Sequence, residues 1–301
     1  MTYLRRTGLF LLTNLAVVFL IGLILRITGL DALLMASGFH PAGLLLFAGL
    51  FGLTGSLVSL LLSKWLALRS TGASVIEHPR NRTESWLLET IHQQAVRSGI
   101  GTPDLAIYTA PEPNAFATGA RRDAAVVAVS TGLLQSMDRH EVEAVLAHEV
   151  SHIANGDMIT MALLQGVTNT FVLFFSRIVG SLVDTWLSGD ADRRGPGIGY
   201  WVTSIAAEVV FGLFASLIVM AHSRRREFRA DAGAARLVGA PAMISALERL
   251  ARAESPTMLP KSIAAFGIRG TGWARWWSSH PPITARIAAL EPKPTRRRRA
   301  A

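Results

Sequence analysis

The chain has 301 residues, of which 50% are hydrophobic and 17% are charged, and this composition is too apolar for an ordinary soluble protein. It contains no cysteine, so disulfides and thiolate metal sites are excluded and any metal must be held by His, Asp or Glu. The net charge of +9 does not indicate a nucleic-acid-binding protein, because no motif of that kind accompanies it. The basic residues instead flank apolar segments, where anionic membrane lipids would attract them.

Two uncharged segments near the N-terminus predict a transmembrane hairpin. They cover residues 7–25 and 32–63, and within the second the expected helix is 41–63. A bilayer requires roughly 20 helical residues, which both segments provide. Because the first segment stays bulky to its end and a second soon follows, we expect a retained anchor rather than a cleaved signal peptide.

Basic residues beside these segments predict their orientation. Arg5 and Arg6 precede the first segment, Lys64 and Arg69 follow the second, and the loop between has only Arg26. Because cytoplasmic flanks carry the excess of Lys and Arg, both ends of the hairpin are expected in the cytoplasm.

The next part of the chain has the composition of a soluble domain. A helix is predicted over 83–97, and short β-branched segments at 104–109 and 124–130 predict strands. The segment 113–119 between the strands is expected to be extended.

A further helix has both a start signal and a stop signal. Asp138 can cap its first turn and form a capping box with Glu141, and Asn155-Gly156 is expected to end it.

This helix contains the motif His148-Glu149-Val150-Ser151-His152. Helical residues four apart lie on one face, so the two histidines can share a metal ion, and Glu149 beside them can take a proton from water. Chance is a poor explanation, because only 8 of the 301 residues are histidine. The motif predicts a hydrolase with one Zn²⁺ per chain.

Two more apolar segments, 158–176 and 197–222, follow the motif and predict a second hairpin. After it the chain has a soluble composition again, and a helix is predicted over 224–238. Whether the hairpin spans the bilayer fully or is partly buried stays open. Glu208 interrupts the second segment, and because an ionisable group at mid-span is costly, it is expected to face a partner or a cavity.

A catalytic zinc ion usually takes three protein ligands and a water, so a third ligand must come from elsewhere in the chain. Glu227 is the expected one, and Asp231, four residues later on the same helical face, is expected to orient a ligating histidine. His222 and Asp231 remain alternative ligands, and a solvated helix with salt bridges is the alternative interpretation of this basic segment. Because two membrane crossings, or none, separate Glu227 from the histidines, they can meet at one ion.

Five sets of residues carry a resemblance to a known family. They are Asn114-Ala115-Phe116-Ala117-Thr118-Gly119, Ser130-Thr131-Gly132-Leu133-Leu134, the histidine motif with Asn155-Gly156-Asp157, Arg226-Glu227-Phe228 with Ala230-Asp231, and His280-Pro281-Pro282 with Arg286-Ile287. Across most of its length the chain resembles the HtpX-type membrane zinc metalloproteases of peptidase family M48, which are related to the CaaX-processing Ste24 proteases.

The resemblance implies an α+β membrane protein, mostly helical, with a minigluzincin-like zincin catalytic domain, a small mixed sheet and two transmembrane helical hairpins. It implies that His148, His152 and Glu227 hold the zinc and that Glu149 is general base and acid. The expected domains are an N-terminal hairpin at 1–69, a catalytic domain at 70–157 and 223–290, the second hairpin at 158–222 between its two parts, and a basic tail at 291–301.

The resemblance also implies misfolded or damaged membrane proteins as substrates, cleaved at the cytoplasmic face of a bacterial inner membrane. Asn114, Ala115, Phe116 and Ala117 would form an edge strand to which a substrate backbone adds, and such main-chain pairing predicts broad specificity. The oligomeric state stays open.

Two C-terminal residues are candidates for stabilising the oxyanion of the tetrahedral intermediate, namely His280 and Arg286. The alternative for His280 is a histidine that fixes a Pro-Pro turn, and for Arg286 a surface ion pair.

Two other functions compete with this interpretation. A CaaX-type prenyl-peptide protease needs a larger chamber with more membrane spans than the four that fit here. A non-catalytic, metal-stabilised membrane scaffold would function through its basic clusters, but it would have no need of Glu149.

Overall fold

The computed structural model describes residues 40–188, 196–253 and 280–291, together with 26, 27 and 29. The predicted span at 7–25 and the basic tail after residue 291 lie outside this range. The chain forms two compact units, Met1–Leu60 with Thr160–Val219, and Leu61–Ile159 with Met220–Ala301. We call the first the membrane unit and the second the soluble unit. The domain boundaries given above stay a prediction.

The described part of the chain forms eight α-helices and four short strands. The helices are α1 (Pro41–Thr71), α2 (Arg82–Ser98), α3 (Thr131–Ser136), α4 (Arg139–Asn155), α5 (Asp157–Ser188), α6 (Ile198–Val238), α7 (Ala240–Ala253) and α8 (Ile283–Leu290). The strands are β1 (Ser74–Val75), β2 (Asp104–Tyr108), β3 (Ala115–Thr118) and β4 (Val126–Ser130), and a 3₁₀ turn at Arg122–Ala124 precedes β4.

Three of the described helices, α1, α5 and α6, are long and apolar enough to cross a membrane. Within the membrane unit, α1 and α5 approach closely because Gly52 lies against Thr170 and Gly166 lies against Ser56, with no room for a Cβ atom at either glycine. Small residues at such contacts are typical of membrane helices, whose backbones gain van der Waals contact when they approach.

The third of these helices differs from its predicted form. The sequence predicts an apolar segment at 197–222 and a separate helical segment from 224 onward, whereas α6 is one uninterrupted helix of 41 residues. The change from apolar to charged residues alters where the helix is solvated but does not break it, because neither proline nor glycine occurs between Leu213 and Ala232.

A four-stranded mixed sheet forms one layer of the soluble unit, in the order β1-β2-β4-β3. The strands β2 and β4 are parallel, with Ile107 opposite Val129, and the two outer pairings are antiparallel. All five residues of β4 are buried, as expected for the central strand with an apolar face on each side. The predicted mixed sheet is confirmed, and β3 lies at its edge.

The helix that carries the histidine motif, α4, begins and ends at the predicted residues. Asp138 accepts a hydrogen bond from the Glu141 amide and the Glu141 side chain accepts one from the Asp138 amide, which completes the capping box. Gly156 ends the helix at φ 69°, a left-handed conformation that glycine adopts without steric cost. The helix packs between the sheet and the helices α2 and α7 around one apolar core.

Candidate active site and metal centre

Three side chains from two helices converge in the soluble unit. The helix α4 supplies His148 and His152, whose Nε2 atoms lie 3.1 Å apart, and α6 supplies the fully buried Glu227. The Glu227 carboxylate oxygens lie 3.5 Å from the Nε2 atom of His148 and 3.4 Å from that of His152. One ligand atom from each residue lies within 4.8 Å of the others, and within the described ranges no other group of His, Asp and Glu meets this criterion.

A carboxylate lies behind each histidine ring. The Nδ1 atom of His148 is 2.9 Å from Asp231, and the Nδ1 atom of His152 is 2.7 Å from Asp157. Asp231 is therefore close to a histidine ring, and its role in orienting that ring stays a prediction. Asp157 has the same relation to the other ring, but the sequence does not predict it, because Asp157 follows the helix end at Gly156 and its direction depends on how the chain turns there.

These carboxylates change the electrostatics of both rings. Burial alone would lower the pKa of His148, but hydrogen bonds to Asp231 and Glu227 outweigh it and the net pKa is raised. For His152, burial is likewise outweighed by Asp157 and Glu227, which raise its pKa to about 9. The site therefore has a negative potential that favours a bound cation.

The two predicted oxyanion residues both contact the carboxylates of the site. Arg286 is buried and donates two hydrogen bonds to Asp231, at 2.8 and 2.6 Å, so it holds the carboxylate behind His148. His280 lies with Nδ1 2.8 Å from Glu227, and its side chain is 59% exposed. Their proposed role at the oxyanion stays a prediction, whereas their contacts identify both as supports of the carboxylates.

A cavity of about 410 Å³ opens beside these residues. His148, Glu149 and Glu227 line it, as do His280 and Arg286. The residues predicted to be catalytic, ligating and supporting therefore face one space within the soluble unit.

The predicted substrate strand contributes its first residues to this cavity. Asn114 and Ala115 line it, next to Pro113. Phe116 instead packs against Tyr108, with ring centroids 5.7 Å apart, and Ala117 packs against the apolar core. Of the four predicted substrate-binding residues, two therefore face the cavity and two face other residues of the soluble unit.

The loop that leads into β3 is fixed by hydroxyl groups at the end of β4 and at the start of α3. The Ser130 hydroxyl donates to the carbonyl of Glu112, at 2.8 Å, and accepts from the amide of Asn114, at 2.9 Å. The Thr131 hydroxyl bonds both backbone groups of Ala110. We call the segment 110–114 the entry loop, because it brings the chain to the cavity wall at Asn114.

Comparison with known proteins gives consistent matches. Residues 81–293 match the model of the family described as Peptidase family M48. A protein named Protease HtpX homolog from Desulfotalea psychrophila is 56% identical over 289 residues, covering 95% of this chain and 99% of that protein. One named Protease HtpX from Stenotrophomonas maltophilia is 55% identical over 285 residues, covering 95% of this chain and 97% of its own length.

The fold is also similar to that of a solved structure, the crystal structure of S. mikatae Ste24p. The TM-score is 0.58 at 15% sequence identity, and the match covers 92% of this chain and 67% of that one. At this identity the likeness concerns the fold alone.

Proposed function

Because the chain belongs to peptidase family M48 and is a membrane metalloprotease, we propose that it is a zinc-dependent endopeptidase that degrades misfolded or damaged membrane proteins at the cytoplasmic face of a bacterial inner membrane. The observation that carries the proposal is the convergence of His148, His152 and Glu227 within 4.8 Å, beside a cavity that Glu149 also lines.

The donor set fits zinc. Two imidazole nitrogens and one carboxylate are the ligands of many catalytic zinc sites, which keep a further position for water or substrate. The Glu227 carboxylate is fully buried, and among the described residues no hydrogen bond of good geometry reaches its Oε1 atom, which leaves this atom available to an ion. His148 and His152 have their other ring nitrogen beside a carboxylate, as ligating histidines commonly do.

Zinc, when bound, would act as a Lewis acid that polarises the scissile carbonyl and lowers the pKa of the attacking water. The chain's own residues do the rest. The Glu149 carboxylate takes a proton from the attacking water, whose oxygen bonds to the carbonyl carbon, and returns it to the amide nitrogen as the C–N bond breaks. Asp231 and Asp157 hold the two histidine rings in orientation, and Arg286 holds Asp231.

The position of β3 supports an unfolded or extended substrate. It lies at the edge of the sheet and the entry loop brings Asn114 and Ala115 to the cavity. An extended peptide can add to such an edge through its backbone, which damaged or partly unfolded proteins expose and folded ones do not. The three helices suited to crossing a bilayer bring the enzyme to substrates in the same membrane.

The test compares wild type with Glu149→Gln, both purified in detergent, for zinc content by mass spectrometry and for cleavage of casein. We expect one zinc per chain in both and a rate at least about 10²- to 10⁴-fold lower in the variant. A His148→Ala variant should lose the metal as well as the activity. Stoichiometric zinc without cleavage in either protein would favour a membrane scaffold, and absence of bound metal would refute the proposal.

A further inference from the structure

The soluble unit contains a second cavity, of about 340 Å³, which shares no lining residue with the cavity beside Glu149. Three helices form it, and we call it the arginine cavity. Its charged, polar and smallest lining residues are Arg97 and Ser98 of α2, Ser151 and Asn155 of α4, and Gly233 and Arg236 of α6.

The arginine cavity carries two positive charges. None of the described residues that line it is acidic, and within the described ranges neither guanidinium forms a salt bridge or a side-chain hydrogen bond. Both Arg97 and Arg236 are exposed to solvent. Each guanidinium therefore has all of its N–H donors available to a ligand.

The contact between α4 and α6 places Arg236 at the cavity. A Cβ atom at Gly233 would overlap the Ser151 side chain, so the two helices touch at this point. The same Cβ position lies 3.9 Å from the Nη2 atom of Arg236, which places the guanidinium beside the contact. Arg97, the last residue but one of α2, lines the cavity from the third helix. The two cations thus come from different helices and face one space.

A basic residue in the last turn of a helix has a structural explanation, because the helix C-terminus is partially negative. Arg97 and Arg236 both occupy such turns. Carbonyl groups near these helix ends are, however, already bonded by backbone amides, from Gly99 after α2 and from Gly239 after α6. The helix dipole explains one arginine at each end, but not two arginines that line a single cavity.

The charge of the cavity selects an oxyanion with two negative charges. A guanidinium donates two parallel hydrogen bonds to a carboxylate or a phosphate, and a phosphate monoester carries close to two charges at neutral pH. Such a dianion balances both arginines, whereas a carboxylate balances only one. Ser98 offers a hydroxyl group as a further donor. The volume leaves room for a small organic group beside the phosphate, since ligand sites occupy roughly 300 to 1,000 Å³.

We propose that the arginine cavity binds a phosphate monoester through Arg97 and Arg236. The inference goes beyond the proposed protease function and does not depend on it. Because the bound phosphate bridges α2 and α6 where they meet α4, it holds together the two helices that carry the predicted metal ligands. Two sources can supply it, a soluble ester or the headgroup of phosphatidic acid, since Asn155 is only two residues before α5, a helix suited to crossing a membrane.

The experiment titrates glycerol 3-phosphate into the full-length, zinc-loaded protein in a nonionic detergent, by isothermal titration calorimetry. Arg97→Gln and Arg236→Gln should each raise Kd by on the order of 10- to 100-fold, because each removes charged hydrogen bonds. The matched controls are Arg80→Gln and Arg82→Gln, exposed arginines near the start of α2 and outside the cavity, which should change Kd by less than about twofold. Phosphate that binds the metal instead would bind both arginine variants as tightly as wild type, and this result would overturn the proposal.

Two further measurements test selectivity and folding. Acetate should bind at least about tenfold more weakly than glycerol 3-phosphate, and equal affinities would overturn the proposal in favour of a non-selective cationic surface. Glycerol 3-phosphate should raise the midpoint of thermal unfolding of wild type but not of the variant that lacks both arginines. Because both side chains are exposed, this variant should unfold at the wild-type midpoint without ligand, which shows that it is folded.

Nanodiscs decide the source of the phosphate. A headgroup that occupies the cavity should raise the apparent Kd for glycerol 3-phosphate severalfold in bilayers with phosphatidic acid, relative to bilayers with phosphatidylglycerol at matched charge. Equal values identify a soluble ester as the ligand. Casein cleavage in the same samples separates this proposal from the protease assignment. Binding that needs both arginines supports the phosphate site even without cleavage, and cleavage without such binding removes the phosphate site alone.

Discussion

The Asp157 carboxylate lies 2.7 Å behind the His152 ring and is 1% exposed. It contacts the Nδ1 atom of His152 in the same way that Asp231 contacts the Nδ1 atom of His148. Carboxylates in such positions fix the ring orientation and raise the basicity of the nitrogen that binds metal. We therefore expect Asp157→Ala to weaken zinc affinity by about 10- to 100-fold.

The affinity is measured by competition with a chromophoric chelator, with Glu89→Ala as the control at an exposed carboxylate of the same unit. Equal zinc affinity in Asp157→Ala and wild type would show that His152 needs no support from this residue.

At the scale of residues, sequence reasoning identified groups whose relation is local. His148, Glu149 and His152 follow from helical spacing, and Asp231 follows from its distance of four residues to Glu227. The contact between Asp157 and His152 could not be predicted from the sequence, because it depends on how the chain turns at Gly156. The contacts of Arg286 were equally hidden, since its partner Asp231 lies 55 residues away in the chain.

The start of α3 packs closely against the entry loop. A Cβ atom at Gly132 would overlap the backbone carbonyls of Pro111 and Ala110. Gly132→Ala must therefore displace the entry loop, at a cost of roughly 1 to 3 kcal/mol. Because this loop presents Asn114, we expect KM for peptides to rise severalfold while zinc content stays at one per chain.

Peptide kinetics and metal analysis on the same preparation check this expectation. The matched control is Gly55→Ala, since no heavy atom lies within 4 Å of a Cβ atom at that position. A Gly132→Ala enzyme with unchanged KM would mean that the entry loop does not position substrate.

In the membrane unit, the predicted partner of Glu208 is found on the neighbouring helix. Arg177 of α5 lies 3.0 Å from Glu208 of α6, and its guanidinium also lies over the rings of Tyr200 and Trp201, 6.0 and 5.6 Å from their centroids. Glu208→Gln would leave Arg177 without a countercharge in an apolar setting, which we expect to cost about 2 kcal/mol or more.

Thermal unfolding in detergent measures this cost through a double-mutant cycle. The variant with both Arg177→Gln and Glu208→Gln should recover part of the stability that Glu208→Gln loses, because no unpaired charge remains. If the two substitutions were simply additive, the ion pair would contribute nothing to the hairpin.

The elements themselves were largely predictable, with one instructive exception. The caps at Asp138 and Gly156 and the alternation of short apolar segments with turns are local signals, and they gave the bounds of α4 and the strands closely. The continuity of α6 was missed because a change in solvation was taken for an end of the helix. Composition reports the surroundings of a helix, whereas glycine, proline and capping residues report its end.

For the molecule as a whole, the basic flanks predict that the soluble unit faces the cytoplasm. The natural chain has no cysteine, so a single introduced thiol reports its own location without interference. We expect Gln93→Cys, on the exposed surface of α2, to react with a membrane-impermeant maleimide only after the cells are lysed. Thiol reactivity is followed by the mass shift of the labelled protein.

The internal control is Thr28→Cys, in the loop that the basic residues predict to lie outside the cytoplasm, which should react in intact cells. Labelling of Gln93→Cys in intact cells would show that the soluble unit lies on the opposite side of the membrane from the one predicted.

At this scale the sequence predicts the fold class, which the structure confirms, but not the cavity beside Glu149. Family resemblance and hydropathy also predict a soluble domain interrupted by an apolar hairpin, and its boundaries stay a prediction. The cavity lining takes apolar residues from four helices, and no local pattern marks them as neighbours: Leu133, Val145, Met243, Leu250 and Ile283. Their apolar character is visible in the sequence, but only tertiary packing separates those that face a cavity from those that fill the core.

The division of the metal cluster between α4 and α6 has a consequence for biosynthesis. A ribosome completes His148 and His152 first, then α5 and most of α6, and only then Glu227. Arg286 and His280 follow later still. A nascent or truncated chain that ends within the second hairpin therefore has both histidines but not Glu227, the proposed third ligand. The order of translation thus prevents the proposed metal site from being complete before the second hairpin has been made.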